Sequence, residues 1–156
     1  MGFLSFAGRV LFSAIFILAS WQKINDFGQD GGGALKAIEP KFGTFKQLVA
    51  TTLGYNLPKF ELKYLLITTI TLEGIGAILF TFGSNLGAYM LLLFLAAVTP
   101  IMHDFYNFDA ASPEYSREFV HFMKNVSLAG ALLFFLGMKT SYSRRPRRKS
   151  AKVKAT

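Results

Sequence analysis

The fold is decided by residues 64–102, which read YLLITTITLEGIGAILFTFGSNLGAYMLLLFLAAVTPIM. Glu73 is the one charged residue in this stretch, and the short segment 83–85 divides the stretch into two apolar halves. Each half approaches the length of about 20 residues that a helix needs to cross the hydrocarbon of a bilayer. A connection this short permits only an antiparallel hairpin. The stretch therefore predicts two transmembrane helices, over residues 64–82 and 86–102.

Two further apolar segments flank this hairpin, one at residues 3–21 and one at residues 119–138. Segment 3–21 has no basic start and carries Arg9 inside a long apolar run, so we expect a span and not a cleaved signal peptide. Because hydrocarbon offers no hydrogen-bonding partner to the backbone, all four segments should be helices. The predicted fold is an all-α membrane protein, a bundle of four transmembrane helices in one domain over residues 1–138.

Composition and charge support this class. The chain is 52% hydrophobic and 17% charged, with 17 Phe and no Cys, so it lacks the polar residues to cover a soluble core and cannot form disulfides. The net charge of +8 comes from residues 139–156, which hold eight Lys and Arg and no acid; the first 138 residues hold nine basic and nine acidic residues. We expect this tail to be disordered and cytosolic, and we expect no nucleic-acid partner.

The long connection, residues 22–63, contains a second helical pattern. Apolar residues recur at helical spacing over residues 34–53, and Pro40 and Gly43 interrupt them. We predict two short helices along the membrane surface, with their aromatic residues toward the lipid. An equally supported alternative is a cap over the mouth of the bundle.

The basic tail predicts the orientation in the membrane. Lys and Arg next to a span favour the cytosolic side, and four crossings then place both termini in the cytosol. Lys152 and Lys154, the fifth and third residues when counted back from Thr156 as the first, match a dilysine retrieval signal. This pattern predicts the endoplasmic reticulum as the location and the retrograde vesicle coat as a partner. A mitochondrial membrane is the alternative.

Ionisable residues at membrane depth are costly and normally face partners inside the bundle. Counted from the span ends, Arg9 and Glu73 lie at depths of roughly 9 and 13 Å, which predicts a structural ion pair between the first two spans. A second polar layer is expected at the opposite end, where a ligand or partner could bind; Lys124 with Asp104 is its expected pair. The residues of this layer are Lys23, His103, Asp104, His121, Lys124 and Asn125. No spacing in it supports a metal site.

Several stretches resemble the DoxX-like superfamily of membrane proteins. They are residues 8–12 (GRVLF), 73–76 (EGIG) and 124–133 (KNVSLAGALL). Within that superfamily, residues 20–28 (SWQKINDFG) and 103–108 (HDFYNF) are most similar to the plant HR-like lesion-inducing proteins. The resemblance implies a four-helix membrane bundle and an association with cell-death and defence responses, which names a phenotype and no molecular activity. Its relatives include Surfeit-type cargo receptors and a subunit of a quinone-reducing complex.

Two functional hypotheses follow from the sequence. The first is a non-enzymatic adaptor or receptor of the early secretory pathway, in contact with membrane lipids and other membrane proteins and without a cofactor. No catalytic constellation stands out in the sequence, although an enzyme is not excluded. The second is an accessory subunit of a membrane redox complex with a bound lipid or quinone, for which the abundance of Phe is the supporting observation.

Overall fold

The structure is a computed structural model that describes residues 2–28, 31–58 and 61–144. In these residues it contains five α-helices, one short 3-10 helix and no strand. The helices are α1 (Phe3–Asn25), α2 (Gly32–Leu53), α3 (Leu62–Thr81), α4 (Asn85–Met102) and α5 (Pro113–Arg144); the 3-10 helix is Phe105–Asn107. The predicted all-helical class is confirmed.

Four of the helices are long and apolar enough to cross a membrane, by length and composition. The corresponding segments are Phe3–Asn25, Leu62–Thr81, Asn85–Asn107 and Pro113–Ser141. Large apolar side chains cover their outer faces: Leu4, Leu11 and Leu18 lie on one stripe of α1 at exposures of 84%, 77% and 61%. The protein thus places apolar residues outward, as a lipid environment requires, which indicates a multi-pass membrane protein.

α3 and α4 form the centre of the bundle, and they pack closely along their lengths. The predicted turn between them is confirmed. Gly83 adopts a φ of 81°, and the amide of Ser84 donates to the carbonyl of Leu79 over 3.0 Å, which closes the end of α3. A Cβ on Gly87 would lie 2.7 Å from the carbonyl oxygen of Gly76, so this glycine allows the two backbones to touch.

The outer helices pack on this central pair, α1 on α3 and α5 on α4. The buried core combines side chains from all four: Phe16, Ala77, Phe80, Ala88, Leu91, Phe94, Leu95, Leu132 and Leu136. We call the end of the bundle with Gly2, Gly83 and Lys139 the terminal end. The end with Lys23, α2 and the connection from α4 to α5 is the loop end.

α2 differs from the prediction of two short pieces. It is one helix that continues through both Pro40 and Gly43, and it contacts α4, α3 and α1. Proline removes one backbone hydrogen bond and glycine weakens a helix, but packing of Ile38, which is 5% exposed, outweighs both costs. The structure therefore agrees with the alternative of a cap at the mouth of the bundle.

α5 is longer than the predicted span at both ends. Pro113 begins the helix, six residues before the predicted start at residue 119, since proline lacks the amide hydrogen that the first helical position leaves unused. The hydroxyl of Ser112 accepts from the amide of Tyr115 over 3.1 Å and caps this start. At the other end α5 continues past Met138 to Arg144, so the predicted boundary of a disordered tail lies inside a helix.

Candidate functional site

An ion pair joins the last turn of α1 to the middle of α3. The ammonium of Lys23 lies 2.7 Å from Oε2 of Glu73, whose side chain is 4% exposed. The Lys23 side chain is 31% exposed, and its nitrogen lies 5.5 Å from the centre of the Phe94 ring. Lys23 is therefore held by both a carboxylate and an aromatic face.

The predicted pairing of Glu73 with Arg9 is wrong, because Lys23 occupies this carboxylate. Arg9 lies at the terminal end, where Nε donates to the carbonyl of Thr81 over 3.1 Å and Nη1 donates to the hydroxyl of Ser5 over 2.9 Å. Thr81 is eight residues from Glu73, which separates the two levels by about 12 Å along α3. Which cation pairs with Glu73 therefore depends on how α1 is shifted along α3. This shift cannot be obtained by counting residues from the end of each span.

A second ion-pair cluster closes the loop end, and Lys41 is at its centre. The ammonium of Lys41 lies 3.1 Å from Oδ1 of Asp104 and 3.4 Å from Oε1 of Glu118, and it also donates to the carbonyl of Met102. Both carboxylates are almost buried, with side chains 9% and 11% exposed. One lysine of α2 thus ties this helix to the end of α4 and to the first turns of α5.

The two histidines belong to the same cluster. Nδ1 of His103 donates to Oε2 of Glu118 over 3.1 Å, since an ionised carboxylate can only accept. The rings of His103 and His121 stack with their centres 5.4 Å apart. The side-chain amide of Asn107 donates to Asp104 over 3.1 Å. The structure therefore brings His103, Asp104 and His121 together in one polar cluster.

The remaining members of the predicted layer lie elsewhere. Asn125 lies one helical turn after His121 on α5, and its side-chain amide donates to the hydroxyl of Thr99 over 3.2 Å. Lys124 does not pair with Asp104 as predicted; it is exposed and lines a groove between α1 and α5 beside Ile15. Six residues from Glu118, Lys124 is rotated by about 240° around α5, so it faces away from the cluster. Lys23 belongs to the Glu73 pair instead.

Sequence reasoning missed two residues of this cluster, Lys41 and Glu118. Glu118 could have been found, because it lies one turn before His121 on the same helix. Lys41 could not, since the interruptions at Pro40 and Gly43 placed it on a surface helix. Among the residues that the structure describes, no group of three or more His, Asp or Glu side chains has the arrangement of a metal site.

An open seam runs between α1 and α5. At the terminal end it widens to a cavity of about 820 Å³ lined by Arg9, Phe12, Phe80, Phe135 and Lys139; the lining is completed by Gly2, Ser5, Gly8, Phe134 and Met138. Phe12 and Phe80 line this cavity, and Phe80 is also a residue of the buried core; Phe16 and Phe94 belong to the core and do not line the cavity.

A family model for HR-like lesion-inducing proteins matches residues 1–138. The chain belongs to this family. The match covers α1 to α4, α5 as far as Met138, the Lys23–Glu73 pair and the Lys41 cluster, and it ends just before Lys139, which lines the cavity. No curated protein and no solved structure matches the chain. The predicted retrieval signal, Lys152 and Lys154, lies outside the residues that the structure describes.

Proposed function

We propose that this protein is a non-enzymatic membrane adaptor or receptor that binds its partner at the loop end. The observation that carries the proposal is the Lys41 bridge, which fixes α2 to both Asp104 and Glu118. Because a lysine of the same chain pairs with both carboxylates, we interpret this cluster as structural support for the surface around it. Membership in the HR-like lesion-inducing family fits a role in cell-death or defence responses.

The partner surface in this proposal is the exposed side of α5 at the loop end. His121 and Lys124 are exposed there, and Arg117 nearby has a side chain 63% exposed. Behind them, Glu118 is held by Lys41 and His103, so these side chains stand on a fixed base. A cationic rim on a rigid base favours a partner with an acidic surface.

Quantitative copurification from solubilised native membranes tests this proposal. We expect His121→Ala combined with Lys124→Ala to reduce the recovery of specific partners at least about fivefold, a typical effect of removing rim contacts. Asn85→Ala, an exposed polar residue at the terminal end, is the matched control and should retain those partners. An identical set of partners for all three proteins would refute the proposal.

The location in the early secretory pathway is part of the same proposal and has a separate test. Replacing Lys152 and Lys154 with Ser should move a tagged protein from the endoplasmic reticulum toward later compartments, because the coat reads the lysines directly. If the tagged double variant remains in the endoplasmic reticulum, the lysines of the tail no longer support the proposed location. The DoxX-like relationship is likewise a proposal, supported by the motifs at residues 8–12 and 124–133.

The aromatic cavity in the seam favours a second candidate function, an accessory subunit of a membrane redox complex. Its volume of about 820 Å³ lies within the range of small-molecule sites, about 300–1,000 Å³. Native electrophoresis of solubilised membranes distinguishes the two functions. Stoichiometric comigration with a mitochondrial redox complex would favour the second function over the first.

A further inference from the structure

The bundle is open along one side, between its first and last helices. No Cα atom of α1 lies within 8 Å of a Cα atom of α5 in the part of the chain that the structure describes. Side chains from α3 fill the floor of this seam: the Phe80 ring lies 5.2 Å from the Phe12 ring and 4.9 Å from the Phe135 ring. The seam is therefore apolar inside and open to the surrounding lipid.

The cavity in this seam has two cations at the terminal end, Arg9 and Lys139. Arg9 is 6% exposed and donates to the carbonyl of Thr81, and the ammonium of Lys139 donates to the carbonyl of Gly83. These carbonyls belong to residues two positions apart, whose Cα atoms lie within about 7.6 Å of each other. The end of α3 and its turn thus gather two positive charges at one place in the cavity.

The terminal end of the bundle carries basic residues and no acidic residue in the part of the chain that the structure describes. The nine acidic residues of the chain all lie within residues 26–73 and 104–118. The segments that form the terminal end in the described part of the chain, residues 2–12, 76–90 and 132–144, contain no acid, and two of their basic residues, Arg9 and Lys139, line the cavity. A ligand that enters here meets an electrostatic field that attracts anions.

The cavity therefore combines an apolar, aromatic interior with a cationic mouth at the level where the apolar part of α5 ends. A free anion would make no contact with the aromatic side chains, and an uncharged lipid or quinone would not pair with the two cations. We propose that this cavity binds one anionic phospholipid, with its phosphate at Arg9 and Lys139 and one acyl chain along Phe12, Phe80 and Phe135. This site is separate from the partner surface at the loop end, and it stands without that function.

The test uses the full-length protein in detergent micelles with equal amounts of dioleoylphosphatidylserine and dioleoylphosphatidylcholine, and native mass spectrometry to count bound lipids. We expect one phosphatidylserine per chain, retained at least about fivefold over phosphatidylcholine. Lys139→Ala should lower this preference about fivefold, because one basic residue at an anionic headgroup contributes about that factor to binding. Lys36→Ala, an exposed lysine of α2, is the matched charge control and should bind as the wild type does.

A second variant tests the apolar part of the cavity without touching a charge. Gly8 lines the cavity, and a Cβ added there would meet no atom within 4 Å, so Gly8→Leu fills the space without a backbone clash. It should reduce the occupancy of both lipids while circular dichroism shows unchanged helix content. Gly130→Leu is its control, because Gly130 is exposed, also has open space, and lies outside the cavity lining.

Three results would overturn the proposal. The first is equal retention of the two lipids by the wild-type protein. The second is a Lys139→Ala variant that keeps the full preference for phosphatidylserine. The third is displacement of the bound lipid by millimolar inorganic phosphate or by ubiquinone, which would identify a phosphate site or a quinone site instead.

Discussion

The buried pair of Lys23 and Glu73 should respond unequally to the loss of each partner. Lys23→Met leaves the Glu73 carboxylate, 4% exposed, without its cation, and this should lower the free energy of unfolding by about 3 kcal/mol. Glu73→Leu leaves a lysine that is already 31% exposed and can turn its ammonium toward the membrane surface. The expected loss there is only about 1 kcal/mol.

The double variant Lys23→Met with Glu73→Leu should be less harmful than Lys23→Met alone. It removes both charges, and apolar replacement of a buried pair is often nearly neutral, so we expect a total loss of about 1 kcal/mol and a coupling energy of about 3 kcal/mol. The assay is equilibrium unfolding in mixed micelles, followed by the fluorescence of Trp21, the single tryptophan of the chain. Equal losses in both single variants, with additive effects in the double variant, would refute this reasoning.

Two further predictions concern α2 and the central hairpin. Lys41→Met should detach α2 and lower its protection from hydrogen exchange. α3 and α4 should stay protected, because their packing does not depend on Lys41. Unchanged protection of α2 would contradict the role of the bridge. Gly87→Ala would bring a Cβ within 2.3 Å of the backbone nitrogen of Phe80 and should lower the free energy of unfolding by about 3 kcal/mol. Gly130→Ala, where nothing lies within 4 Å, should raise that free energy by up to about 1 kcal/mol, and a similar loss in both variants would disprove close packing at Gly87.

The four apolar helices and the central hairpin could be predicted from the sequence because each depends on local properties. Length and apolarity identify the spans, and the three residues between α3 and α4 leave one possible connection. The cap on α5 was also present in the sequence, as Ser112 followed by Pro113, although the predicted span began only at residue 119.

The polar contacts were harder to predict because they depend on how helices are placed against one another. A shift of α1 along α3 by a few turns decides whether Arg9 or Lys23 meets Glu73, and the sequence around each residue does not reveal it. Lys41 shows the same limit for a whole helix, since its role depends on α2 continuing through Pro40 and folding back over the bundle. The closeness of His103 and His121 could be inferred from the sequence, because each is a polar residue next to an apolar span.

The glycine contact between α3 and α4 has a consequence for biosynthesis. The two helices are adjacent in the chain and touch through their backbones at Gly76 and Gly87, so they can associate as soon as both have been synthesised. α1 is already present at that moment, and α5 is not. We therefore expect assembly to proceed from a three-helix intermediate, in which the outer face of α4 stays covered by lipid until the last helix arrives.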